Sequence, residues 1–286
     1  MEVRRRHPPW LKVRAPVGDE FFATRRTVKE WKLHTVCEEA RCPNIGECWA
    51  HGTATFMLLG DVCTRNCGFC AVKHGRPLSV DPEEPRRVAG AVSALGLRHV
   101  VITSVDRDDL PDGGASQFAR TAEAIKETVP GCSVEVLIPD FQGNEASLRT
   151  VLEAPIDVLN HNVETVPRLY KRVRPGARYE RSLELLDRAK RIRPDVRTKT
   201  GLMLGLGEEL AEVLGVLRDL VAIRCDILTL GQYLQPTARH LPVVRYVPPE
   251  EFAELRKEAL AMGFRYVESG PLVRSSYHAW LHVANT

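Results

Sequence analysis

The chain has 286 residues, 44% hydrophobic and 27% charged, a balance that excludes wholesale disorder or a fibrous repeat and leaves ample material for a large core. Forty Lys and Arg against 37 Asp and Glu leave a formal charge of +3, too mild to argue for nucleic acid or a membrane surface as partner. No apolar run approaches the roughly 18 residues of a membrane span, and the charged start from Met1 to Arg6 has no apolar stretch behind it as a secretory signal would, so the chain reads as cytoplasmic.

Residues 1–36 lack strong periodicity and carry nine Lys and Arg against four acids before Thr35. They read as a partly ordered basic arm whose Arg4, Arg5, Arg6, Lys12 and Arg14 are suited to steer an acidic partner. Six of the eight cysteines then crowd between Cys37 and Cys70, while Cys132 and Cys225 stand alone as small buried hydrophobes. Such crowding in a reducing compartment points to metal or redox chemistry rather than disulfides. Cys37, Cys42 and Cys48 are spaced Cys-x4-Cys-x5-Cys, with Pro43 and Gly46 bending the chain so that three sulfurs can face one point. No fourth cysteine lies near: the site lacks a ligand by design, takes one from elsewhere in the chain, or is a zinc site completed by His34 or His51.

A strand over Thr55–Gly60 leads directly into Cys63, Cys67 and Cys70. Three thiolates on the loop at a strand's carboxyl end suit an iron–sulfur cluster with one open iron, which the amino and carboxylate groups of a methionine-type ligand can chelate. Structural zinc on Cys63, Cys67, Cys70 and His74 is the alternative. A zinc knuckle normally nucleates a tiny domain, however, and this triplet sits on a large α/β unit that needs no staple. The position favours chemistry.

Further strands are expected at His99–Ser104, Ser133–Asp140, Asp157–Asn162, Arg197–Leu204 and Asp226–Gln232. Between them apolar residues recur at helical spacing: Val88, Ala91, Val92 and Leu95; Phe118, Ala122, Ile125 and Val129; Leu210, Val213, Leu214, Leu217, Leu220 and Val221. Near-continuous apolar strands separated by amphipathic helices signal a covered parallel sheet. Polar residues gather where each strand finishes: Ser104, Asp106, Asp108 and Asp109; Asp140; Asn160, Asn162 and Glu164; Gln232 and Gln235. An open doubly wound sheet would concentrate them at one switch point, whereas a barrel opens all its strand ends onto one face. The expected fold is therefore α/β, a partial (β/α)6 barrel of parallel strands. A last helix (Phe252, Leu255, Ala259, Met262) leads into a short apolar strand and the tail Arg274-Ser275-Ser276-Tyr277-His278.

The Cys-x3-Cys-x2-Cys triplet on the first strand resembles that of the radical S-adenosylmethionine (SAM) enzymes. The resemblance implies a four-iron cluster on Cys63, Cys67 and Cys70, with SAM on the fourth iron. Such a SAM site would need acceptors for an amino group from Ser104 and Asp106, and a cation for the carboxylate from Lys199. It would also need ribose contacts from Asn162 or Glu164, and close backbone approach to adenine at Gly201 and Gly205. Lys199 stands inside an apolar strand, so its charge must be paired or reach a polar cavity. The run Gly201-x3-Gly205-x-Gly207 does not match the dinucleotide fingerprint, which argues against NAD. His161 and His278 are plausible in either cysteine site.

The Cys37–Cys48 segment narrows the resemblance to the lipoyl synthases, and the likeness runs from about Pro9 to the tail. Val101–Leu110, Asn160–Pro167, Gly201–Glu208 and Arg274–Tyr277 also match, in order, with Thr200 where Ser is expected. This resemblance implies an auxiliary four-iron cluster on Cys37, Cys42 and Cys48, with Ser276 as a fourth and catalytically released ligand. Residues 1–50 would form the arm and auxiliary-cluster segment, 51–240 the partial barrel, and 241–286 a C-terminal extension supplying the serine. The reaction implied is sulfur insertion at C6 and C8 of an octanoyl group on a lysine of a lipoyl carrier domain or the glycine cleavage H protein. A ferredoxin- or flavodoxin-type electron donor and a cluster-repair carrier are implied with it. The competing readings are a radical SAM enzyme of other specificity and a non-catalytic zinc-binding interaction protein.

Overall fold

The computed structural model describes residues 7–13, 18–50 and 54–284. Of the proposed steering cations, Arg4, Arg5, Arg6 and Arg14 lie outside the described residues, as does His51, while Lys12 is exposed. Ten strands occur: β1 (His34–Thr35), β2 (Thr55–Leu58), β3 (Val62–Cys63), β4 (Lys73–His74), β5 (His99–Ser104), β6 (Ser133–Leu137), β7 (Val158–Asn160), β8 (Arg197–Leu204), β9 (Ile227–Gln232) and β10 (Tyr266–Gly270). Eight of them form one sheet in the order β1-β2-β5-β6-β7-β8-β9-β10, and β3 and β4 pair apart from it.

Strand order thus follows chain order with no reversal, which removes the switch point a doubly wound sheet requires. The six expected strands are β2 and β5 to β9, all parallel. The two end strands, β1 and β10, do not pair with each other, so the barrel is partial and open. β10 adds a further parallel strand beside β9, from Tyr266↔Ile227 to Gly270↔Gly231. β1 closes the other edge antiparallel, with His34 opposite Met57.

Three strands end earlier than the apolar pattern suggests, among them β7, which stops at Asn160 rather than Asn162. β6 stops at Leu137 because Pro139 has no N–H for the ladder, and Asp140 then caps a short turn through the Gln142 N–H at 3.0 Å. β2 stops before Leu59 and Gly60, both at positive φ, and the Leu59 N–H is bound by both oxygens of Glu84 at 3.1 and 3.0 Å.

The crossover helices follow the apolar stripes. α1 (Asp19–Glu30), α2 (Val36–Glu39) and α3 (Ile45–Ala50) precede the barrel. α4 (Glu84–Ala94), α5 (Ala115–Thr128), α6 (Glu145–Glu153), α7 (Tyr170–Val173), α8 (Tyr179–Ile192), α9 (Leu210–Ala222) and α10 (Pro249–Met262) follow, with α11 (Leu281–Ala284) near the end. Asn144 caps α6 by accepting from Ala146 and Ser147, and α9 opens with a reciprocal box between Glu209 and Glu212. Phe118, Ala122 and Ile125 of α5, and Val213, Leu217 and Leu220 of α9, are buried on the sheet as their spacing requires. Leu210 departs from the α9 stripe: as the first residue of the helix it is 64% exposed. Among the described residues no helix is long and apolar enough to cross a membrane.

Candidate active site at the carboxyl ends of the strands

The first cysteine triplet is shaped by its neighbours before any ligand arrives. Cys63 pairs with His74 across β3 and β4, which pinches the intervening loop at its base. The Cys63 sulfur accepts from the backbone N–H groups of Arg65 at 3.4 Å and Asp106 at 3.3 Å. Gly68 sits where any Cβ would come within 2.9 Å of Leu241 and 3.2 Å of the Arg172 carbonyl. Its N–H donates to Val173 and its carbonyl accepts from Leu241, so two distant loops clasp the triplet. His240 donates from Nε2 to the Cys70 carbonyl at 2.9 Å, because a carbonyl can only accept.

Arg65, inside the triplet, is a buried hub. It binds Asp108 two-by-two at 2.6 and 2.8 Å, reaches Asp140 at 2.7 Å and lies 3.5 Å from Asp106. Burial opposes ionisation of Asp140, yet the hydrogen bond and charge of Arg65 hold its carboxyl down at about 2. The loop is therefore bolted to the ends of β5 and β6.

The second triplet is held by both ends of the chain. Thr35 caps α2, placing Cys37 in its first turn, and the Cys42 N–H returns to the Cys37 carbonyl at 3.1 Å. Cys48 lies on α3, its N–H bound to Asn44. From the far end, the Leu272 carbonyl accepts from the Asn44 side chain at 2.7 Å, and Tyr277 donates to Glu47 at 3.1 Å. Gly231 at the end of β9 lets this tail pass: a Cβ there would strike the Val273 carbonyl.

The first triplet, and Cys37 and Cys42 of the second, open onto one cavity of about 490 Å3 that Ser276 also lines; Cys48 does not line it. Cys48 lies close enough to raise its pKa through Cys37 and Cys42, after burial. All eight cysteines are free thiols. Burial pushes each of the six upward, Cys37 and Cys67 to about 12 and Cys70 to about 11. Sulfurs so placed become ligands only when a metal displaces their protons.

The donor set fits a polynuclear cluster better than a single ion. Among the described residues, the ligand atoms that lie mutually within 4.8 Å belong to His34, Glu39 and Asp61; neither cysteine triplet qualifies. Thiolates are the ligands that hold iron–sulfur clusters, and six thiols grouped in two sets of three suit two such clusters. His34, offered above as a zinc ligand, instead faces Glu39 at 3.4 Å.

Ser104, Asp106, Asn162 and Glu164 line the same cavity. Ser104 Oγ, Asp106 Oδ1 and Asn162 Oδ1 are buried without a hydrogen-bond partner, the condition expected of groups waiting for a polar ligand. Burial raises the carboxyl pKa of Asp106 and of Glu164, against the pull of Arg65 and Arg174 respectively. His161 also lines the cavity, while His278 stacks on Tyr277 at 3.8 Å and faces Glu47 and Glu268.

Three expected contacts stand elsewhere. Lys199 is fully buried and bonded to both oxygens of Glu135 at 2.8 and 3.0 Å, and it does not line the cavity. Its charge is paired, as its place in an apolar strand requires, by a residue two strands away in the sheet and not by a ligand. Gly201 lies behind Asn162, whose oxygen would be 2.8 Å from a Cβ there, and Gly205 is packed against Gln232 and Arg245. Neither lines the cavity. Arg65, Arg174 and Arg274 do line it and were not singled out. Arg65 and Arg274 had a signal in their places inside the first triplet and just before Ser276; Arg174, just beyond α7, had none.

The sequence model of the radical SAM superfamily matches residues 57–220, and that of the N-terminal domain of lipoyl synthase of the same superfamily matches residues 1–42. Lipoyl synthase of Koribacter versatilis is 61% identical over 272 residues, covering 95% of this chain and 90% of that one. Lipoyl synthase of Roseiflexus sp. is 60% identical over 280 residues, covering 98% and 93%. The chain belongs to the lipoyl synthase family. Solved structures support the fold of this lipoyl synthase family member: methylornithine synthase superposes with a TM-score of 0.55 at 16% identity, over 74% of this chain and 69% of that one. The hydrogenase maturase HydG does so with 0.53 at 15%, over 78% and 57%. The expected partial barrel is thus borne out.

Proposed function

We propose that the chain inserts sulfur at C6 and C8 of an octanoyl group carried on a lysine of a lipoyl carrier domain, giving the lipoyl cofactor. The observation that carries this is the convergence of Cys63, Cys67 and Cys70, of Cys37 and Cys42, and of Ser276 on one cavity. On this reading Cys63, Cys67 and Cys70 hold the SAM-cleaving four-iron cluster, and Cys37, Cys42, Cys48 and Ser276 hold the auxiliary one. Bound there, the first cluster with SAM would supply the radical chemistry that takes hydrogen from an unactivated carbon, and the second would supply sulfur.

The protein's own residues bind, orient and shield. Ser104 and Asp106 offer acceptors to the SAM amino group, and Asn162 and Glu164 face the ribose. The apolar walls from Leu137, Leu202 and Met203 exclude water from a carbon radical. A radical is short-lived, so sulfur must already be held beside it. One shared cavity meets that need, and the oxygen of Ser276, harder than a thiolate, is the weakest of the four ligands to iron and the one to release. Residues 1–50 and 241–286 serve the auxiliary cluster on this reading, and 51–240 the SAM chemistry. The electron donor is of ferredoxin or flavodoxin type, and a carrier rebuilds the consumed cluster.

The test is iron and sulfide analysis of anaerobically purified protein, then incubation with SAM, reductant and an octanoyl-lysine peptide. Brown protein that releases 5′-deoxyadenosine and carries cluster-derived sulfur into the peptide is expected. Colourless, zinc-only protein would refute the reading.

A further inference from the structure

Beyond Ser276 the chain leaves the carboxyl ends of the strands and passes beside β10. Tyr277 donates to Glu47 at 3.1 Å, His278 lies 3.8 Å from Glu47 and 3.7 Å from Glu268 of β10, and Ala279 is buried. Six residues after Ser276, His282 on α11 has reached the amino ends of the strands. Its ring packs on Tyr266, the first residue of β10, with centroids 4.5 Å apart. Its carbonyl accepts from Arg197, the first residue of β8, at 2.6 Å. The tail therefore runs from the cavity at one end of the barrel to the opposite end.

The groups around the His282 ring are basic. Lys199 of β8, His99 of β5 and His278 of the tail itself all face it. The carboxylates nearby are already engaged. Glu135 of β6 takes Lys199 through both oxygens at 2.8 and 3.0 Å and lies 3.9 Å from His99. Glu268 accepts from the Tyr266 hydroxyl at 2.9 Å. Among the described residues neither ring nitrogen of His282 has a hydrogen-bond partner, although the residue is only 4% exposed.

Such a ring is seated as the neutral imidazole. A buried imidazolium beside a lysine, with no acceptor, has nothing to offset its desolvation. Burial, with Lys199, His99 and His278 adding to it, holds the pKa down at about 2. Ser276 lies between two pins. On one side the Asn44 side chain holds the Leu272 carbonyl at 2.7 Å; on the other the bond from Tyr277 to Glu47 is exposed, which leaves His282 as the buried pin.

We propose that His282 is a positioning residue for Ser276: its neutral ring latches the end of the chain into the amino end of the barrel, and a proton on the ring releases the tail. The latch stands on the tail's own contacts and does not depend on what Ser276 binds. In the released tail the imidazole regains its ordinary value of 6.5, so the seated state takes up the proton far less readily than the released one. The latch is therefore at full strength above that value. Below it, the equilibrium for seating weakens about 10-fold with each pH unit until the seated ring itself titrates.

The test is amide hydrogen exchange of the full, cluster-loaded chain under anaerobic conditions, at about pH 7.5 and about pH 5.5. Mass spectrometry reads peptides covering 271–284 and, as references, α5 and α9. The parent is compared with His282→Phe and His282→Leu, which keep an apolar body in the seat and remove the titration. The ratio of tail protection, parent over variant, cancels the constant cost of either side chain and the titration of His99 and His278, which all three proteins retain. That ratio should fall roughly 10-fold from the higher pH to the lower, with α5 and α9 unchanged. His282→Arg, which is always charged, should leave the tail exposed at both values. A ratio that does not change with pH, a tail as protected in His282→Arg as in the parent, or loss of protection in α5 and α9 in step with the tail would overturn the latch.

Discussion

Replacing Arg65 by Met should destabilise the cluster-free protein by about 3 kcal/mol. Deleting one partner of a buried ion pair typically costs about 3–5 kcal/mol, because the other charge is left uncompensated. Here the lower end applies: Asp140, fully buried, keeps Arg181 at 3.0 Å, and Asp108 retains some access to solvent. Anaerobic urea unfolding of the parent, Arg65→Met, Asp140→Asn and the double variant would isolate the Arg65–Asp140 coupling. As a hydrogen bond between charges, it should amount to roughly 1.5–3 kcal/mol.

The same pair fixes a pH dependence. The Asp140 carboxyl sits at about 2 in the fold against 3.8 in its ordinary state, so the fold binds the proton less readily than the unfolded chain does. Its contribution is therefore complete above about pH 4 and is lost as pH falls through about 2, a total of about 2 kcal/mol. The parent's stability relative to Asp140→Asn should shrink by that amount between pH 5 and pH 2. A cost below about 1 kcal/mol for Arg65→Met, the worth of an exposed pair, together with an unchanged pH profile, would refute the picture of a clamp.

Cys67→Ala should abolish 5′-deoxyadenosine formation, while Cys42→Ala should spare it and lose sulfur insertion; equal cleavage by both variants would contradict the division between the triplets. Gly231→Ala should drive a Cβ into the Val273 carbonyl, costing about 1–3 kcal/mol and lowering iron content toward that of one cluster, read by iron analysis. Lys199→Met should leave Glu135 buried and unpaired and cost about 3–5 kcal/mol in urea unfolding, with much of the loss recovered in Lys199→Met/Glu135→Leu and SAM affinity unchanged in that double variant.

The fold was largely legible because its signals are local. Short apolar runs such as His99–Ser104 and Arg197–Leu204 became strands with the same bounds, and the stripes of α5 and α9 turned inward. Both cysteine triplets were legible because their ligands are close in sequence. What escaped depends on contacts between distant residues. Lys199 and Glu135 lie 64 positions apart, and only the pairing of β6, β7 and β8 shows that one neutralises the other. Arg65 meets Asp140 across 75 positions for the same reason. A lone charge in a strand announces that it has a partner without saying whether that partner is protein or ligand.

The tail illustrates how such distant contacts order the assembly of the site. Ser276 reaches the cavity only because Leu272 is held by Asn44 and Tyr277 by Glu47, across 228 and 230 positions. These bonds join the two ends of the chain outside the central strands. The first triplet takes shape on β3, β4 and the ends of β5 and β6, clasped by the loops that carry Val173 and Leu241. The second needs β9 and β10 in register as well, since Gly231, opposite Gly270, is where the tail crosses. Closing so long a loop carries an entropy cost that is recovered only once the intervening barrel has formed. The contacts that bring Ser276 to the cavity are therefore expected to form late in folding, after the strands they span. On the proposed function that would suit a cluster whose sulfide is given up, while the buried Arg65 ties the other triplet to the ends of β5 and β6.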